Sequence, residues 1–361
     1  MSVGRKLWLR FKAKLVRTST WEFWPPYIFY LPVALHYFLL AIRYRGLTLP
    51  MCTNPGTING YQAGESKAFS LGKLHEGAPE FVAEAWLIEG NNTEEKIACC
   101  RKLIADQSID FPCILKPDCG NRGSGVKVIH NNEEAVDYLR KIQAPVIMQR
   151  YVPGPKEAGV FYYRYPTQDR GQLFAITEKI FPKVTGDGKS TLEQLIWNDK
   201  RAYIIADKYL ERFAADLNTI PAKGEDWQLV QAGNHAQGCI FYDGWHLASD
   251  ELTESMDQVA KGLNEFYFGR FDIRYEKDED LKDGKNFKIL EVNGFASEAT
   301  SIYDPRNSLW RAYSTLFRQW RIVFKIGAQN RQRKFSPPSL KQLIQRARRY
   351  QVQKATHPVT D

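Results

Sequence analysis

The run GRFDIRYEKDEDLKDGKNFKILEVNGF, residues 269–295, places Arg270, Asp272, Glu291 and Asn293 where they can act together. Gly269–Glu276 and Phe287–Asn293 read as strands. Lys277–Asn286 is charged and carries Asp283-Gly284, so it reads as a hairpin connection. Pairing symmetric about that connection sets Glu276 opposite Phe287 and Asp272 opposite Glu291. Directly opposed residues have Cβ atoms about 5 Å apart. Asn293 lies two residues beyond Glu291, and Arg270 two before Asp272, so all four share a face. Opposed carboxylates repel unless a cation stands between them. Two acids and an amide offer only oxygen, which suits magnesium or manganese, with two ions bridged by Glu291. A solvated strand pair, in which Arg270 neutralises Asp272, fits the same residues. A β-bulge would break this register.

A second run, FPCILKPDCGNRGSGVKVI, ends a strand at Lys116 and then spaces Gly120, Gly123 and Gly125 closely, with Ser124 between. Glycines let backbone N–H groups approach a phosphate. A strand follows, whereas a dinucleotide fold or a P-loop needs a helix there. The loop is then a flap able to close on a triphosphate, with Lys116 below it. An ordinary hairpin with a roomy turn fits too. GDGKST at 186–191 lacks the first glycine of a Walker motif, since Lys183 stands there. It reads as a turn, with Ser190 or Thr191 capping the next helix.

The elements that position these runs alternate in kind. Helices are expected at Glu94–Asp106 (capped by Thr93), Glu133–Ile142, Thr191–Phe213, Glu251–Tyr267 and Leu309–Ile326. Strands are expected at Phe111–Lys116, Val126–His130, Val146–Val152, Leu173–Lys179 and Gly238–Tyr242. Strand-turn-strand units among helices point to α+β with mostly antiparallel sheets.

With 361 residues, 43% of them hydrophobic, the chain can bury one large core or two to three lobes. The net charge of +9 belongs to the ends. Residues 1–21 hold six Lys/Arg and residues 321–360 hold ten, neither with an acid, while the middle is net negative. Such ends point to an anionic surface or a solvated tail. Pro338–Tyr350, with Leu340, Leu343, Ile344 and Ala347 at helical spacing among Lys341, Arg346, Arg348 and Arg349, fits either a basic surface helix or a tail. Six Cys without CxxC spacing read as reduced cytosolic thiols. The six His form no ligand pattern; His235 is at most a substrate contact. Tyr27–Ile42 is too short for a straight span, which needs about 20 apolar residues. Basic residues flank it on both sides, and no cleavage site follows. It reads as an interfacial or docking element.

Together the two runs resemble the ATP-grasp superfamily of carboxylate–amine ligases, with D-alanine–D-alanine ligase and the ATP-grasp part of cyanophycin synthetase as look-alikes. ILKPDCGNRGSGV is similar to the family's lysine strand and glycine flap. KVTGDGKSTLEQLI and AGNHAQGC are similar to the cyanophycin-synthetase side. GRFDIRYE with ILEVNGF is similar to its metal hairpin. The resemblance implies an ATP-grasp fold, two α+β lobes holding ATP between antiparallel sheets. Residues 1–60 would be a basic, aromatic N-terminal segment. Residues 61–330 would be the ATP-grasp domain, with lobes at about 61–150 and 151–330, and 331–361 a basic tail. It implies Lys67, Lys116 and the flap (Gly120, Gly123, Ser124, Gly125) on the phosphates. Gln149, Tyr151 and Val152 would line adenine, and Glu157 would hold the ribose. Lys179 would contact phosphate or adenine, and Asp272, Glu291 and Asn293 would hold Mg2+ or Mn2+. Arg270 and Lys116 would be catalytic. Gln149 stands where the family usually has an acid, and the spacing to Glu157 is one residue long. GFASEATSIYDP replaces the family's Pro-Gly substrate segment, and the usual N-terminal lobe is missing. The activity implied is ADP-producing ligation of a small-molecule carboxylate to an amine, with an amino-acid or peptide-type substrate. Small-molecule kinase chemistry on the same fold stays open, as does a non-catalytic basic protein for membrane or nucleic acid. No nucleic-acid motif is present. The expected location is cytoplasmic, with the basic ends suited to the inner membrane face.

Overall fold

A computed structural model describes residues 3–56, 65–119, 125–230, 233 and 238–345. The chain opens with helices α1 (Val3–Ser19), α2 (Pro26–Phe29) and α3 (Leu31–Arg43). Pro26 and Pro32 stand in first turns, where no backbone N–H is needed. Helix α4 (Lys67–Gly77) follows. Next come β1 (Ala85–Ile88), α5 (Thr93–Asp106), β2 (Cys113–Pro117), β3 (Lys127–Ile129), α6 (Asn132–Lys141) and β4 (Val146–Arg150). Their antiparallel sheet runs β1-β4-β2-β3. Ile97 and Cys100 of α5 and Tyr138 and Leu139 of α6 close a core with Cys113, Leu115, Val146 and Met148 of its strands.

The larger half begins with β5 (Lys156–Tyr163), β6 (Gln172–Ile180) and β7 (Lys183–Thr185). It continues through α7 (Leu192–Asn198), α8 (Ala206–Arg212), β8 (Asp226–Gln228), β9 (Ile240–Asp243) and α9 (Asp250–Gly262). It ends with β10 (Phe268–Tyr275), α10 (Asp278–Lys282), β11 (Phe287–Asn293) and α11 (Leu309–Gln332). Five strands form an antiparallel sheet in the order β11-β10-β5-β6-β9. Alternation along β10 decides its faces. Phe271, Ile273 and Tyr275 join Met256 and Val259 of α9 in one core. On the opposite face α11 covers Phe161, Phe174 and Phe268 with Ile322, Val323 and Ile326. Arg270, Asp272 and Arg274 lie beyond that cover.

Several boundaries move. The stretch 191–213 is broken rather than one helix. Asp199 Oδ1 accepts from the backbone N–H of Arg201 and Ala202 and interrupts the ladder. Thr191 caps α7 in a reciprocal capping box with Gln194. Asn92, not Thr93, caps α5. Helix α9 stops at Gly262, short of Tyr267, and the hairpin connection contains α10. Strand β5 had no counterpart among the expected elements. All six cysteines are free thiols.

The N-terminal segment is docked on the larger half. Leu40, Ala41 and Leu49 pack with Phe324 of α11. The buried Asn54 side chain donates to Phe268 O and accepts from the N–H groups of Tyr267 and Phe268, completing the start of β10. Among the described residues no helix is long and apolar enough to cross a membrane.

Candidate active site

The hairpin of β10 and β11 sets Asp272 opposite Glu291 and Arg270 opposite Asn293. That matches the pairing expected for the acids, by a different route. The end of the hairpin is one step off: Tyr275, not Glu276, faces Phe287. A bulge between Ile289 and Glu291 restores the step, because Ile273 pairs with Ile289 and Asp272 with Glu291. Leu290 is the extra residue. Its carbonyl accepts from Lys116 Nζ at 3.1 Å and from Gln149 Nε2 at 3.2 Å. The bulge therefore joins the two sheets through a backbone oxygen.

Asp272 is buried. It accepts from Arg270 Nε at 2.9 Å and from Asn293 Nδ2 at 3.3 Å, and Lys179 Nζ stands 3.3 Å away. Burial opposes the carboxylate, but Arg270 and Lys179 outweigh it and hold its pKa below the ordinary range. Burial likewise opposes the Lys179 ammonium, which Asp272 and Glu157 hold above its ordinary pKa. Lys179 Nζ lies 2.7 Å from Glu157 Oε1. The other Glu157 oxygen pairs with Arg274 Nη2 at 3.3 Å, and Arg274 Nη1 donates to Val152 O at 3.2 Å. Tyr151 lies under the same guanidinium. Lys67 Nζ stands 3.5 Å from Glu291 Oε1.

Lys116 donates to Gln149 Oε1 at 2.7 Å. Burial pushes its ammonium down to about 8; Glu291 opposes the shift and Lys67 adds to it. Both Gln149 N–H donors are used, on Ala83 O and Leu290 O. In this arrangement the Gln149 amide is turned to Lys116 and to the bulge. Glu157, expected at a ribose, has both oxygens engaged by cations.

The stretch expected to form the flap joins β2 and β3, which pair antiparallel. Gly120, Gly123 and Ser124 lie outside the described residues, as does His235. Gly125 has φ of +70° and its carbonyl accepts from Tyr138 Oη at 2.6 Å. At the other root, Asp118 Oδ1 accepts from Ser66 Oγ and Ala68 N, fixing the start of α4 and with it Lys67.

Three participants escaped the sequence reading: Arg274, Asp118 and Glu298. Arg274 shares the alternation that picked out Arg270 and Asp272, so strand period alone could have found it. Glu298 O accepts from Arg270 Nη1 at 3.0 Å, while Tyr30 Oη donates to Glu298 Oε2 at 2.7 Å. No local pattern marks that link.

Gly159 lies between these groups on β5. A Cβ there would sit 2.8 Å from Arg270 Cδ and 3.3 Å from Asp272 Oδ1. Gly159→Val is expected to lower stability by about 1–3 kcal/mol by overpacking, read as the shift in a denaturant midpoint. An unchanged midpoint would show that Arg270 can move aside.

No protein-family model matches the chain. Cyanophycin synthetase of Geminocystis herdmanii is 28% identical over 173 residues, 42% of this chain and 19% of that protein. The formate-dependent phosphoribosylglycinamide formyltransferase of Sulfurisphaera tokodaii is 32% identical over 98 residues, 25% of this chain and 22% of that protein. The matched stretches thus span about a fifth of these relatives' length. Among solved structures, a D-alanine–D-alanine ligase of Bacillus anthracis superposes with a TM-score of 0.42 at 13% identity, covering 75% of this chain and 69% of that one. The resemblance to the ATP-grasp ligases is borne out by the cyanophycin synthetase match and by the mixed helix and antiparallel-sheet fold.

Proposed function

We propose that this chain is an ATP-dependent ligase that joins a small-molecule carboxylate to an amine through an acyl phosphate. The observation that carries this is the gathering of Lys67, Lys116, Lys179, Arg270 and Arg274 around Glu157, Asp272, Glu291 and Glu298, five cations against four carboxylates. A positive surplus in a partly buried cleft suits a polyphosphate. The opposed carboxylates with Asn293 fit a hard divalent cation by donor type. Among the described residues no three His, Cys, Asp or Glu cluster as a metal cage, and magnesium characteristically keeps waters and substrate phosphates as its other ligands. Magnesium, when bound, neutralises phosphate charge and orients the transferred group.

The chain's own residues supply the rest. Lys116 and Lys67 hold phosphate oxygens from the floor of the cleft. Arg270, fixed by Asp272 and Glu298 O, offers N–H groups where charge develops on the transferring phosphoryl group. The flap excludes water while the acyl phosphate awaits the amine. A screen of amino acids and other carboxylates for coupled ADP and phosphate release tests the proposal. An amide product supports it, and a stable phosphoester product replaces it with a kinase.

A pH dependence follows from Lys116. Its ammonium loses its proton near pH 8 in the free protein, whereas a bound phosphate favours the charged form. Affinity for Mg–ADP is therefore expected to be flat below about pH 8 and to weaken above it by up to about tenfold per pH unit, with proton uptake on binding. Lys116→Met should bind weakly with no such dependence. Calorimetry in buffers of different ionisation enthalpy reads both quantities; a flat profile to pH 9.5 in the unaltered protein would refute the role of Lys116.

A further inference from the structure

Helix α3 is apolar on two opposite sides. Val33, Leu40 and Ala41 are buried against α11 and its neighbours. Tyr37 packs edge-on against Trp320 and Phe324. The other side carries Leu31, Leu35, Phe38, Leu39 and Ile42, between 54% and 75% exposed. Their three- and four-residue spacing aligns them in one stripe. Tyr27 and Ile28, also exposed, precede it in α2. Isolated exposed apolar residues are ordinary on a protein surface, but a continuous stripe marks an interaction face. Helix α1 repeats the pattern. Leu9 and Ala13 are buried, while Leu7, Trp8, Phe11 and Leu15 are exposed beside Arg10, Lys12 and Lys14.

Charge identifies the occupant. The first 64 residues hold eight Lys/Arg and a single acid, Glu22. That acid is buried and pairs with Arg201. From the neighbouring elements, Glu193 pairs with Lys6 and Asp207 with Arg10, while Lys12 lies over the Trp8 and Tyr203 rings; the segment itself brings cations and apolar side chains to this side and no exposed acid of its own. A protein partner would bring mixed charge and polar hydrogen-bonding groups to such a face; a bilayer of anionic lipid brings anionic headgroups over hydrocarbon, which matches both halves. Exposed Trp8 and Tyr27 belong to the types that favour the headgroup level. The 13-residue α3 is too short to span, so it would lie in the plane of the surface.

We infer that the outer stripe of α3, assisted by the basic apolar face of α1, docks this protein on an anionic lipid surface. The inference stands apart from the ligase proposal, since it uses none of the residues of the cleft. It is tested by sedimentation of the full chain with phosphatidylglycerol–phosphatidylcholine vesicles, with phosphatidylcholine vesicles, and with none. Binding to the anionic vesicles only is expected, with a blue shift of tryptophan emission. Leu35→Glu/Phe38→Glu should weaken that binding about tenfold or more, and the milder Ile42→Glu should weaken it in the same direction. Each variant's thermal melting curve shows whether it folds. Mg–ADP binding, measured on the same samples, reports the cleft separately, so loss of one property without the other shows which proposal failed. The inference is overturned by absence of vesicle binding, by equal binding to neutral vesicles, or by equal binding of a folded variant. It is also overturned if light scattering finds a dimer that the α3 variants dissociate, because a second copy would then cover the stripe.

Discussion

Asp272→Asn is expected to lower the rate of ATP-dependent turnover by about 10³-fold, the scale of losing a transition-state electrostatic contact in a closed site. The effect is large because one carboxylate does two things. It lies opposite Glu291, where the proposed function sets a metal ligand, and it fixes Arg270 through the guanidinium Nε at 2.9 Å. The substitution also removes a buried charge from beside Arg270 and Lys179, and breaking such a set costs about 3–5 kcal/mol. The lower end is expected here, since Lys179 keeps Glu157 and Arg270 keeps Glu298 O. The sign with pH follows from the depressed pKa of Asp272. Its contribution to stability is present above the ordinary aspartate range and is lost as pH falls through the folded-state value. Denaturant midpoints at pH 7 and pH 3 should therefore converge between the native protein and Asp272→Asn. Full turnover in the variant, with whichever substrate pair the screen returns, would remove the metal assignment.

Arg270→Lys is the second large effect, because it keeps the charge and discards the fork. The guanidinium spans Asp272 on one side and the Glu298 carbonyl on the other. A lysine amine cannot hold both and still face a transferring group. The expected result is a fall in kcat of about 10²-fold or more with nucleotide affinity changed by only about threefold, the signature of an interaction made in the transition state. Equal losses in binding and turnover would instead make Arg270 a ground-state phosphate contact.

The acid pair was legible because strand period and a charged connection are local. The register at the hairpin's end was not, since the extra residue at Leu290 answers to Lys116 and Gln149 on the other sheet. Gln149 shows the same limit. Its identity says that it can bond, while only the fold says that its partners are Lys116, Ala83 and Leu290. Strand β5 escaped because nearly every residue in it is buried, so its sequence lacks the in–out alternation of a half-exposed strand. Arg274 was within reach of the alternation that found Asp272. In the N-terminal segment, the short apolar stretch spoke plainly, but a helix apolar on both sides cannot announce which side meets α11.

The link from Tyr30 to Glu298, with Asn54 inserted at the start of β10, bears on how the molecule can be taken apart. Protease trimming to a chain that starts near residue 65 would not release a tidy catalytic unit from a dispensable leader. It would unseat Asn54 from the backbone of Tyr267 and Phe268 and strip the cover from Phe324. Residues 30–54 are thereby masonry in the wall behind Arg270.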